Sequence, residues 1–259
     1  MTIEGPDSSR LEEILLLCTA PVEQVAYDGW LVRTPRNDVK RAGSVNAFYG
    51  STKPLEEKIA RCESMFADAG LPPIWRLTPF SKPAMLDAAL EARGYVRFEP
   101  SLVQVARLTK PFTPPPEGIE FRSMILERWL EVSGLMRGRT PEQIEAEFRR
   151  LHHGEVPGYC TIAYIGEDPV ACGLVMKEQE FAGLFDVFVA EEHRGRGIGT
   201  AISAQLLTTA RRMGATVGWL SVLADNAPAV AAYRKLGFET LYEYWYRIAA
   251  AQGARYDDR

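Results

Sequence analysis

The sequence predicts an α/β protein (α+β in its segregation of strands) arranged as two domains, and three observations carry that reading. Short β-branched and aromatic runs alternate along the 259 residues with segments whose apolar positions recur at helical spacing. The block Leu90-Glu91-Ala92-Arg93-Gly94-Tyr95 returns in outline as Tyr233-Arg234-Lys235-Leu236-Gly237-Phe238, and Gly70 meets Gly214 at nearly the same offset, so the second half repeats the first. Between the halves, Thr109 to Gly118 carries Pro111, Pro114, Pro115 and Pro116. Proline cannot donate to a strand ladder and favours an extended chain, so this stretch reads as a linker. The expected division is 1–110, a linker at 111–117, and 118–259.

In order, residues 8–18 read as a helix capped by Ser8 or Ser9, with Leu11, Ile14, Leu15 and Cys18 on one face. Val22 to Arg33 and Ser44 to Tyr49 read as strands around the polar segment Thr34 to Arg41. A helix over 53–69 closes at Gly70, a short strand covers Ile74 to Leu77, a second helix spans about 82–93, and Tyr95 to Leu108 supplies one or two strands. In the second half Ile119 to Arg122 is a strand. Helices follow at about 125–136 and 141–152, the latter started by Thr140-Pro141 with Glu142 and Glu145 near its positive end. Strands at about 159–165, 169–178 and 181–189 make an antiparallel meander. The tail from Gln252 reads as frayed.

The most informative stretch runs from Phe185 through Thr200. An apolar strand enters a charged turn, and apolar residues at helical spacing then extend from Gly197 to Gly214. The first N–H groups of a helix lack intrahelical partners and carry the positive end of its dipole. Gly195, Gly197 and Gly199 leave those groups approachable, and Arg194 and Arg196 add charge, so a pyrophosphate would fit there. A flexible turn with a helix cap is the plainer alternative. Thr200 stands where a dinucleotide fingerprint needs its third glycine, and no Lys-Ser/Thr ending marks a P-loop. Downstream, Trp219 to Leu223 reads as a strand. Asn226 is then an N-cap, Pro228 lies in the first turn and Gly237 stops the helix.

The order strand, Arg194-x-x-Gly197-x-Gly199, helix, strand, Asn226, Tyr233, Leu236-Gly237-Phe238 resembles the acetyl-CoA-dependent GNAT N-acetyltransferases over roughly residues 118–249. The resemblance implies two GNAT-like domains, each a mixed, mostly antiparallel sheet flanked by helices. The first is degenerate, since Gly50 to Leu55 occupies the place of Arg194 to Gly199 and Leu90 that of Tyr233. An unrelated α/β domain with a similar end is the alternative for that half. The resemblance also implies acetyl-CoA as co-substrate and acetyl transfer to a primary amine by direct attack in a ternary complex. The backbone of Val187, Phe188 and Val189 would bind pantetheine as an added strand. Arg194, Gly195, Arg196, Gly197, Ile198, Gly199 and Thr200 would hold the pyrophosphate, and Asn226 would bond the coenzyme arm as well as cap its helix. Tyr233, about two turns further on, would protonate the leaving thiolate, with core packing as its alternative. Ser221 stands where some relatives carry a carboxylate. Asp186, Glu178 or Glu180 acting through water, or an amine arriving neutral, remain open as the base, with Asp186 preferred. His152, His153 and His193 read as helix-end or loop residues, and Tyr242, Tyr244, Trp245 and Tyr246 as sheet packing.

Composition narrows the class further. With 46% hydrophobic and 25% charged residues the chain can bury a core, and a net charge of −4 supplies no general field for nucleic acid. Cys18, Cys62, Cys160 and Cys172 lack metal-ligand spacing and lie in apolar segments, as reduced core thiols do. Ile14 to Cys18 is too short for a signal core or a membrane span. The expectations are a cytoplasmic protein with no metal, no nucleic acid and no membrane partner, a small-molecule or peptide amine as acceptor, and a possible homodimer. A non-catalytic acyl-CoA sensor or interaction module, or a transferase using another acyl-CoA, is the alternative function.

Overall fold

The computed structural model describes residues 7–21, 23–34, 40–109, 112 and 116–251. In the first half its elements are α1 (Ser8–Cys18), β1 (Val25–Tyr27), β2 (Trp30–Val32), β3 (Val45–Asn46), α2 (Leu55–Asp68), β4 (Ile74–Leu77), α3 (Leu86–Ala92) and β5 (Tyr95–Arg107). The second half contains β6 (Ile119–Met124), α4 (Leu126–Met136), α5 (Pro141–His152), β7 (Gly158–Ile165), β8 (Asp168–Glu178) and β9 (Phe181–Val189). It continues with α6 (Ile198–Arg212), β10 (Val217–Leu223), α7 (Ala227–Lys235) and β11 (Glu239–Ala249). The fold is mixed α/β with mostly antiparallel pairing, as expected.

The chain forms two compact units, one of Asp7–Leu102 with the chain from Tyr242, the other of Val103–Leu241. This division falls inside β5 and β11 rather than at 111–117, of which only 112, 116 and 117 are described.

In the unit built on Asp7–Leu102, α1 is capped by Asp7, whose Oδ1 accepts the Ser9 N–H at 2.9 Å, in place of the expected Ser8 or Ser9. The expected first strand is divided into β1 and β2 by a turn at Asp28-Gly29, both with positive φ (42° and 84°), which is the geometry of a tight hairpin. Val22 lies outside the described residues. β2 pairs antiparallel with β3, β3 parallel with β4, and β4 antiparallel with the end of β11 through Ile74↔Ile248 and Leu77↔Trp245. α3 starts only at Leu86, because Pro83 disfavours a helical Lys82 before it. Trp30, Val45, Ile59, Phe66, Trp75 and Leu90 form the core of this unit, with the Trp30 and Trp75 rings edge to face at 5.9 Å. The tyrosines of β11 pack here. Tyr242 donates to Glu12, and the Arg76 guanidinium lies 4.0 Å from the Tyr244 ring centre.

The Val103–Leu241 unit repeats that order. β6, β7, β8 and β9 are successively antiparallel, and β10 returns parallel to β9 after the α6 crossover. At the end of β5, the Leu108 N–H donates to Thr216 O at 2.8 Å. α6 packs on β8 and β9 where glycine leaves room: a Cβ on Gly173 would lie 2.7 Å from Leu206 Cδ1. The antiparallel, antiparallel, parallel order of β1–β4 matches that of β7–β10, and α2 and α6 occupy the same crossover. All four cysteines are buried, and no described helix is long and apolar enough to cross a membrane.

Candidate active site

β9 and β10 run parallel, so their carboxyl ends lie at the same edge, and the helices that follow them begin there. Their register holds from Val217↔Phe181 to Leu220↔Leu184 and no further. From Phe185 to Val189, β9 keeps its partners on β8 and has none on β10, although β10 continues to Leu223. The strands have splayed. The N–H and C=O groups of one edge of Phe185–Val189 are thereby offered to whatever enters the gap, and all five residues are half-buried.

A bulge sits at the start of the open edge. Cys172 faces Phe188 and Leu174 faces Phe185, so Gly173 alone opposes both Asp186 and Val187. Asp186 takes up the extra residue with φ of 51°, in the left-handed region that Asp tolerates better than most side chains. Its Oδ1 accepts from Arg137 Nη1 at 3.1 Å, and its carbonyl accepts from Arg137 Nη2. Burial by itself would raise the Asp186 pKa. The charges of Arg137, Arg150 and Arg139 and the Arg137 hydrogen bond outweigh that, so it lies below the ordinary carboxylate value.

The open edge leads directly to the glycine turn. Arg194 Nε donates to Val189 O at 3.3 Å, and Arg196 Nη1 lies 3.1 Å from His193 Nδ1. Gly195 and Gly197 have φ of 74° and 78°, and Gly197 is the residue from which α6 starts. The Cβ directions of both glycines meet no atom within 4 Å, so space surrounds the first N–H groups of the helix. Arg194 and Arg196 are exposed beside them. Ile198 instead turns into the core at 2% exposure, which leaves its backbone as its only contribution to a bound anion.

Across the gap, Asn226 caps α7 and its Oδ1 accepts the Ala229 N–H at 3.2 Å, leaving the amide nitrogen for another partner. Tyr233 lies two turns on. Its ring meets Phe238 edge to face at 5.9 Å, and burial pushes its pKa up to about 12. Ser221 Oγ, on the diverging part of β10, is buried without a hydrogen-bond partner among the described residues.

The structure thus brings Val187 to Val189, Arg194 to Thr200 and Asn226 to one end of the sheet, with Tyr233 on the helix that Asn226 starts. It does not bring Glu178 and Glu180 there. They flank the opposite end of β9, where Glu178 pairs with Phe181, about 13 Å from the start of the splay at Phe185 by the rise of a strand. His152 stacks on Phe148 at 4.9 Å at the end of α5. Sequence reasoning missed Arg137, which is 49 positions from the carboxylate it holds.

An extended edge leading into an unobstructed, arginine-flanked helix start suits a ligand with a long amide-bearing arm and a pyrophosphate, which is the shape of an acyl-coenzyme A. The class defined is therefore an acyl-CoA-dependent acyltransferase. Residues 124–238 match the model of the acetyltransferase (GNAT) family. The uncharacterized N-acetyltransferase YobR of Bacillus subtilis is 26% identical over 247 residues, covering 93% of this chain and 98% of that protein. Among solved structures, a GCN5-related N-acetyltransferase from Kribbella flavida superposes with a TM-score of 0.68 at 17% identity, over 94% of this chain and 95% of the other. A tandem GNAT protein from the clavulanic acid biosynthesis pathway gives 0.61 at 18% identity, over 75% and 70%. Residues 124–238 thus carry the match to the GNAT acetyltransferase family, and the chain as a whole shares the fold of GNAT N-acetyltransferases.

Proposed function

We propose that the Val103–Leu241 unit transfers the acetyl group of acetyl-CoA to a primary amine by direct attack in a ternary complex. The observation that carries this is the open edge of Phe185–Val189 running into the start of α6. Pantetheine amides pair with that edge, the pyrophosphate takes the N–H groups after Gly195 and Gly197, and the thioester is fixed at the gap. A neutral amine adds its lone pair to the thioester carbonyl. The oxyanion that forms accepts a hydrogen bond from a backbone N–H of the splayed strand, and its collapse breaks the C–S bond. The amine's extra proton leaves to solvent.

Tyr233 supports the departing sulfur. With a pKa of about 12 it stays protonated, and because a thiol near 8.5 is the stronger acid, the phenol acts by donating a hydrogen bond to the thiolate. Asp186, the preferred base on sequence grounds, is a weak one here because its carboxylate is committed to Arg137. The amine therefore arrives already neutral.

The unit built on Asp7–Leu102 is read as a degenerate second copy, on the strength of the shared strand order. In it, Asp28 fills the position at the start of α2 that an anion takes at the start of α6, accepting from Lys53 N at 3.0 Å and Thr52 N at 3.1 Å. One coenzyme per chain follows. Similarity to a tandem GNAT protein supports the arrangement. The buried, unbridged cysteines fit a cytoplasmic setting.

The test is release of free thiol from acetyl-CoA over a panel of polyamines, amino acids, aminoglycosides and peptides, beside calorimetric titration with acetyl-CoA. Turnover with one amine class at a stoichiometry of one is expected. Tight binding without turnover on the whole panel would favour an acyl-CoA sensor, and a second acyl-CoA turned over faster would replace acetyl as the donor group.

A further inference from the structure

We propose that Arg137 is a positioning residue for acyl transfer: it holds the β9 bulge in the register that presents the Val187–Val189 backbone to the thioester. This rests on the acetyl-CoA reading above.

The first support is what the guanidinium touches. Nη1 donates to Asp186 Oδ1 at 3.1 Å, Nη2 donates to Asp186 O, and the same Nη2 lies 3.4 Å from Cys172 Sγ, on the strand facing the bulge. The guanidinium carbon is 5.4 Å from the Phe188 ring centre. One side chain therefore contacts the bulged residue twice, the residue after Val187, and the opposite strand. A non-glycine residue at φ of 51° is strained and persists only when its surroundings impose it. A fork with donors in fixed directions meets that need; a single ammonium does not.

The second support is how Arg137 is held. α4 ends at Arg137 with Gly138 at φ of 64°. Gly138 N donates to Leu135 O at 3.2 Å and Arg139 N to Gly134 O at 2.9 Å, the paired bonds of a Schellman end. One residue later Thr140 caps α5 in a reciprocal box with Gln143, and Pro141 is its first residue. A Cβ on Gly134 would come within 2.4 Å of Ile144 Cδ1, so the two helices are closely packed. Arg137 is thus aimed at the bulge from a connection with little freedom. Relaxation of the bulge into a regular ladder would shift the strand by one residue and exchange the faces that Val187 to Val189 present.

The test compares wild type, Arg137→Ala and Arg137→Lys by turnover, by calorimetric affinity for free CoA, and by thermal melting. The expected result is a fall in kcat of at least tenfold in both variants, with the melting temperature close to wild type and the CoA dissociation constant raised by much less than kcat falls, because the pyrophosphate site from Arg194 to Thr200 is untouched while the pantetheine arm meets the altered edge. Recovery by Arg137→Lys would mean that charge alone suffices and would overturn the two-point grip. So would unchanged kcat in Arg137→Ala, or parallel losses of kcat, CoA affinity and melting temperature, which would mark a merely structural role. Failure of wild type to turn over any amine is a different result and sinks the acetyl-transfer reading itself.

Discussion

Asp28 accepts the backbone N–H of Lys53 at 3.0 Å, linking the turn of the β1–β2 hairpin to the start of α2. The same carboxylate accepts from Thr52 N and Thr52 Oγ1 and lies 3.3 Å from Lys58 Nζ, whose ammonium sits 3.9 Å from the Trp30 ring centre. The Lys53 N–H bond, the largest influence, and the bonds from Thr52 and Lys58 hold the Asp28 pKa well below the usual carboxylate range, although desolvation works the other way. A depressed folded-state pKa stabilises the protein above the unfolded value near 4 and is lost as pH falls through the folded value. Asp28→Ala is therefore expected to lower the melting temperature by several degrees at pH 7, with the gap from wild type closing as pH falls below 4. A gap independent of pH would show that the carboxylate's charge contributes nothing.

Tyr233→Phe removes the hydroxyl without the ring, so the packing on Phe238 survives. Turnover should drop about 10- to 100-fold, the scale of one lost hydrogen bond to a charged sulfur, while acetyl-CoA affinity stays within twofold. Because burial raises the phenol to about 12, wild-type kcat should show no descending limb assignable to this residue below pH 11. An inflection near pH 10 that vanishes in Tyr233→Phe would contradict the assignment.

Local chemistry made much of this molecule legible from its sequence. The Thr140-Pro141 start of α5, the Asn226, Pro228 and Gly237 punctuation of α7, and the glycines before α6 each act within a few residues, and each lies where it was expected. The splay of β9 from β10 is different. It is the point at which two strands distant in sequence stop pairing, and no residue type marks it. The same holds for Arg137 and Asp186, which α4 and β9 bring together, and for the end of β11, whose pairing with β4 places it with the first half. The Asp28-Gly29 turn is the instructive miss. A strong hairpin signal was present, but apolar residues on both sides made Val22 to Arg33 read as one strand.

Gly183 sits directly beneath Trp219. A Cβ there would lie 2.4 Å from Trp219 Cζ2 and 2.8 Å from Phe185 Cε2, and the indole is fully buried. Overpacking at such a contact costs about 1–3 kcal/mol, so Gly183→Ala should lower the urea midpoint while leaving its slope unchanged. Trp219→Phe vacates the six-membered ring of the indole. Combined with Gly183→Ala it should lose less than the two single changes added together, because the clash is shared. Strict additivity in the double variant would locate the cost elsewhere.

Gly199 separates what the fold needs from what the ligand needs. Gly195 and Gly197 have left-handed backbones, so alanine there would strain the chain whatever else it did. Gly199 has ordinary helical geometry within α6, and a Cβ would meet only Val189 Cγ2 at 3.4 Å, a normal contact. Nothing in the protein itself demands glycine at that position. Alanine should be neutral or stabilising by up to about 1 kcal/mol, since it loses less backbone freedom in a helix. If the pyrophosphate lies against the first turn of α6, the added methyl intrudes on it, and acetyl-CoA affinity should fall tenfold or more. Gly199→Ala is thus expected to melt at or above the wild-type temperature while binding the coenzyme poorly, two readings that unfolding could not produce together. Wild-type affinity in this variant would move the anion away from the start of α6.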